Sequence, residues 1–135
     1  MRYEFFEHTG DAKFRAYGSS LDKRFSNAAL AVSSIMIDPA DVTPNKERSI
    51  GVQAGDLNSL LYNFIEEILF LLDSQFFLLH AVKTLHVSEG ENYALVATLT
   101  GDVNTGQYDI EGGVKAATYN EMEFTDDYIQ MVVDI

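Results

Sequence analysis

The chain has 135 residues, 47% hydrophobic and 22% charged, enough apolar material for the core of one domain spanning 1–135 and too much for a disordered chain. Twenty-one acidic side chains against nine basic ones leave a formal net charge of −12, which disfavours direct contact with a phosphate backbone unless the fold gathers a local basic patch. Cysteine is absent, which excludes disulfides, thiolate zinc sites and a cysteine nucleophile.

The first elements read as strands. "RYEFFEH" (2–8) alternates in part, and "AKFRAYG" (12–18) places Ala12, Phe14 and Ala16 on one side and Lys13 and Arg15 on the other. Between them "HTGD" (8–11) reads as a bend. From Ser20, a plausible N-cap, the period becomes helical, with Leu21, Phe25, Ala28, Val32 and Ile35 at spacings of three and four. Asp38-Pro39 marks the expected stop. A polar loop then leads to a short strand through Ile50 and Val52. Asp56 caps a second helix over 57–73, whose apolar face is Leu57, Leu60, Leu61, Phe64, Ile68 and Leu71.

From Phe76 the pattern is mostly β. Strands at 76–87 and 93–101 flank the hairpin connection "SEGEN", and a polar, glycine-bearing segment (101–113) follows. The strand "VKAATYNEMEF" (114–124), the turn "TDD" and the final strand "YIQMVVDI" (128–135) complete the chain. The fold class is α+β, a two-layer sandwich with two helices on one face of a mostly antiparallel sheet. "MRYEFFEHTG" has no signal-peptide core, and the most apolar stretch holds Glu66, Glu67 and Asp73, so a cytoplasmic protein with no membrane span is expected.

Catalytic motifs do not emerge. There is no G-x-S-x-G elbow, no Walker loop and no G-x-G-x-x-G. His8, His80 and His86 lack zinc-ligand spacing; His80 and His86 share a strand side but lie about 20 Å apart. The segment from Asp102 fails as a calcium loop. Asp102 and Asn104 fit positions one and three, but Gly106 falls fifth rather than sixth and Gly113 stands where glutamate is needed. Isolated carboxylates remain. Asp11 by itself reads as a turn residue. Asp134 beside the Ile135 carboxylate is an oxygen-only pair that repels itself unless a cation offsets it, and such donors favour Ca²⁺ or Mg²⁺. The source of a third carboxylate is left open.

Four stretches, "YEFFEHTGDAKFRAYG", "GDLNSLLYNFIEEILF", "VKAATYNEMEF" and "VVDI", resemble, in this order, the archease family over nearly the whole chain. The resemblance implies a small cytoplasmic, non-enzymatic protein that activates the RtcB-type RNA ligase of tRNA splicing. It implies promotion of ligase guanylylation and multiple turnover, and broader nucleotide use. It also implies a divalent cation, calcium or another hard ion, held by the aspartate of an H-T-x-D motif and the last two residues. Here these are Asp11, Asp134 and Ile135. A partner protein is then expected rather than direct nucleic-acid binding. Lys115 and Tyr119 match the late-strand motif; Gly10 and Asn120 stand where the family commonly has alanine and histidine. Two other classes stand beside this reading: a general chaperone or oligomerisation modulator for RNA-modifying enzymes, and a small enzyme using Asp11 and Asp134 as an acid–base pair.

Overall fold

The computed structural model describes all of Met1–Ile135. Its strands are β1 (Tyr3–Phe6), β2 (Asp11–Tyr17), β3 (Lys46–Ala54), β4 (Phe77–Glu89), β5 (Tyr93–Val103), β6 (Ala116–Ala117), β7 (Glu123–Phe124) and β8 (Tyr128–Asp134). Two helices, α1 (Leu21–Ser34) and α2 (Leu57–Gln75), interrupt them, confirming the α+β class. Both helices start where their caps predict. Ser20 is extended and its hydroxyl accepts the Lys23 amide proton, and the Asp56 carboxylate accepts that of Ser59. No helix is long and apolar enough to cross a membrane.

All strand pairs are antiparallel, but they form two sheets rather than one. The first runs β1-β2-β8-β6, with β7 pairing another part of β8; the second runs β3-β5-β4. The outer edge of the second sheet is blunted at β4. Strand β4 carries two register shifts, between Leu79 and Ala81 and between Val82 and Thr84, and Asp22 of α1 takes the Val87 amide proton. Bulges and a capping carboxylate blunt β4 as an edge, so no strand extends the second sheet there.

The helices join the two sheets. Helix α1 packs on β1, β2, β8 and β4, while α2 packs on β3, β4, β5 and β6. At their junction Phe25 and Phe64, both fully buried, lie 6.0 Å apart, and Phe124 of β7 approaches Phe25 at the same distance. One apolar cluster runs through Phe14, Ala16, Phe25, Leu60, Leu61, Phe64, Leu95, Leu99, Ile129 and Met131.

Two elements differ from their sequence patterns. Helix α1 stops at Ser34, before Pro39, because Ile35 and Met36 close a tighter turn on the carbonyls of Val32 and Ser33. Pro39 instead opens a short 3₁₀ turn (Pro39–Asp41) capped by Asp38, a position where a missing N–H costs nothing. The stretch 114–124 pairs with β8 only through β6 and β7. Between them the chain turns through Glu121 at φ +52°, a left-handed conformation incompatible with a continuous ladder.

Phe64 sits where α2, α1 and the sheets converge. Phe64→Ala is expected to cost about 3–5 kcal/mol, read from the midpoint of urea unfolding; a cost below about 1 kcal/mol would contradict this core assignment.

Candidate functional site

Strand β2 begins at Asp11 because Gly10, at φ +78°, turns the chain out of β1. Space is open around Gly10, so the backbone angle alone calls for glycine there. In the register of β2 with β8, Asp11 lies directly opposite Asp134. Opposed residues of an antiparallel pair share a face, with Cβ atoms about 4.5–5.5 Å apart. On its other side Asp134 pairs with Ala116, and its carbonyl accepts the Lys115 amide proton at 2.7 Å. Its backbone is thus held between two strands while its side chain stays exposed, and Ile135 follows, also exposed. Asp11 and Asp134 thus face each other at one end of the first sheet, and Ile135 is next in the chain.

No lysine or arginine answers the two aspartates; Asp134 makes no ion pair, and Asp11 meets only His8. Like charges directly opposite on a sheet destabilise it unless something offsets them. Oxygen-only donors of this kind suit a hard cation. No three His, Cys, Asp or Glu side chains come together as a ligand set anywhere in the molecule.

A polar relay supports Asp11. His8 Nδ1 meets Asp11 Oδ1, and its Nε2 meets Glu121 Oε2 at 2.7 Å, while Lys13 Nζ donates to Glu121 Oε1 at 3.0 Å. The hydrogen bond to Glu121 and then that to Asp11 raise the His8 pKa above its ordinary value, because both carboxylates favour the imidazolium. The same bond from His8, followed by that from Lys13, lowers the Glu121 pKa. His8 and Glu121 lie 113 residues apart, so no spacing rule in the sequence relates them.

The other marked residues lie elsewhere. His80 Nδ1 meets the Pro39 carbonyl at 3.0 Å, and His86 faces Asp22 at 3.4 Å. Buried Asp102 accepts from the Tyr108 hydroxyl at 2.8 Å and from Asn45 at 3.2 Å, and the Tyr108 bond leads in lowering its pKa. It pins the 104–110 loop. Lys115 is exposed beside Asp134, and Tyr119 stacks on Tyr62 with ring centres 4.5 Å apart.

Residues 3–135 match the Archease protein family (MTH1598/TM1083). The archease of Methanosarcina mazei is 36% identical over 99% of this chain and 96% of its own length. That of Thermococcus kodakarensis is 36% identical over 90% and 87%. The solution structure of Methanobacterium thermoautotrophicum protein 1598 superposes with a TM-score of 0.83 at 30% identity, covering 99% of each chain. A Thermotoga maritima archease, described as a possible chaperone, shares the fold at a TM-score of 0.57 and 17% identity, over 96% of this chain and 94% of that one.

The relay predicts a pH signature in metal-free protein. A raised His8 pKa contributes stability fully present below the unfolded value near 6.5 and lost as pH rises through the folded pKa. The lowered Glu121 pKa contributes stability present above its unfolded value and lost as pH falls through the folded one. NMR titration is expected to place His8 above 6.5 and Glu121→Gln to bring it back down; a wild-type His8 at or below 6.5 would contradict the relay.

Proposed function

The chain belongs to the archease family, and from that premise we propose that it is a non-enzymatic activator of an RtcB-type RNA ligase, carrying a calcium ion at the end of its first sheet. The observation that carries the cation reading is the register of Asp11 against Asp134. The ion would be held by the carboxylates of Asp11 and Asp134 and the main-chain carboxyl oxygens of Ile135, with water completing its shell. When bound, it supplies positive charge that cancels the cross-strand repulsion.

The chain's own residues prepare that site. Strands β2 and β6 hold Asp134 from both sides, and the His8–Glu121–Lys13 relay orients Asp11. Activation of guanylylation then follows from the activator binding one ligase conformation more tightly than another, which is the only way binding shifts such an equilibrium. The charge balance, −12 overall, favours contact with the protein partner over contact with RNA.

Calcium titration by calorimetry tests the site. Asp134→Ala removes one of the charged ligands and is expected to weaken binding at least about tenfold, as is a chain extended past Ile135, whose terminal carboxylate becomes an amide. Equal affinity in the extended protein removes Ile135 from the ligand set.

A single-turnover guanylylation assay on the ligase tests the activity. The expected result is acceleration by wild type and loss with Asp134→Ala. A general chaperone of RNA-modifying enzymes instead predicts client rescue that survives this substitution, and no acceleration by wild type overturns the activator reading.

A further inference from the structure

Three features at the C-terminal end of α2 are unfavourable for this chain alone. First, Phe76 caps the helix at φ 56°, ψ 30°, a left-handed position that glycine or asparagine fills without strain. The backbone around it is committed: its N–H donates to the carbonyls of Leu71 and Leu72, its carbonyl accepts from Asn104, and Phe77 pairs with Val103. Glycine would satisfy the same bonds, so the phenyl ring is not needed for the turn. Second, Phe76 is 60% exposed and Phe70 57% exposed, and neither stacks on another aromatic ring of the chain. The two residues stand about 9 Å apart along the helix axis.

Third, α2 contains no lysine or arginine, and Asp73 lies in its last turn, where unpaired carbonyls already concentrate negative charge. Glu67 and Asp73 flank Phe70 three residues to either side on the helix surface, and neither has a cationic partner. Glu66 is engaged, accepting the Ala117 amide proton at 3.1 Å. The nearby cation, Arg48, is spent on Gln75 at 2.7 Å, on the Glu47 carbonyl and on the face of Phe77.

Scattered single exposed hydrophobics need no explanation, but two bare phenyl rings, a strained cap and unanswered carboxylates at one helix end share a single remedy. We propose that the C-terminal end of α2 is a docking surface for a basic amphipathic helix of a partner protein. Its apolar residues cover Phe70 and Phe76, and its lysines or arginines answer Glu67, Asp73 and the helix terminus. Charge complementarity selects this occupant: a second copy of the chain would set acidic end against acidic end, and an acidic or purely apolar helix leaves the carboxylates unanswered. The surface lies outside the Asp11–Asp134 cluster, and its occupancy requires neither calcium nor the ligase.

The test uses the full chain and a fluorescein-labelled amphipathic 14-residue helix of leucine and lysine. Fluorescence anisotropy is expected to show saturable binding, weakened at least about tenfold in the Phe70→Ser/Phe76→Asn double variant and absent for the leucine–glutamate counterpart. Amide shifts in an ¹⁵N spectrum are expected to centre on residues 66–76. Equal binding by wild type and double variant, shifts centred on Asp11 and Asp134, or no binding by wild type would each overturn the proposal. Phe76→Asn by itself is expected to leave the melting temperature unchanged or raise it by about 3 °C, since it relieves the strained cap. A fall of more than about 5 °C would assign the ring to the fold and overturn the docking role.

Discussion

The antiparallel pairing of β8 with β2 is the contact on which the rest depends. It closes a loop of more than a hundred residues, whose entropy must be repaid by what the strand buries. Ile129 through Val133 are all buried, so β8 is covered on both faces as a central strand should be. Its inner face meets the cluster around Phe14 and Phe64. On its outer face Gln130 accepts from Arg15 and donates to the Glu121 carbonyl, while the Arg15 guanidinium lies 4.3 Å from the Tyr128 ring centre. Because a strand alternates sides, a one-residue slip would exchange its apolar and polar faces, and the register that forms puts Asp11 opposite Asp134.

The candidate site is therefore a by-product of core packing at one end and a source of repulsion at the other. The same residues that close the sheet bring two carboxylates together with no lysine or arginine to answer them, and only His8 at Asp11. Local charge elsewhere follows a similar logic. Asp22 caps the β4 edge and Asp102 pins a loop, so these carboxylates are used in the fold. Asp134 and Asp73 are not. Natural sequences depart from local optimality where binding requires it, and both departures sit on exposed ends of elements that are otherwise well packed.

Legibility in the sequence tracked the range of the interactions involved. Ser20 and Asp56 announced their helices because a cap bonds within three residues. The faces of α1 and α2 were readable because burial imposes the helical period on neighbours in sequence. The stretch 114–124 read as one strand, but Glu121 turns it away from β8 to reach His8, a partner 113 residues distant that no local pattern encodes. The single sheet expected from strand order became two, and the bulges and the Asp22 bond that blunt β4 depend on where α1 docks.

By itself the sequence determined the α+β class, the helix starts, the apolar faces and, through four dispersed stretches, the archease family, because each is written in residues close along the chain or in their order. Tertiary structure decided the division of the sheets, the His8–Glu121–Lys13 relay and the meeting of Asp11 with Asp134. Those depend on which distant strands pair and in which register, a property of the assembled core that no stretch of the chain carries alone.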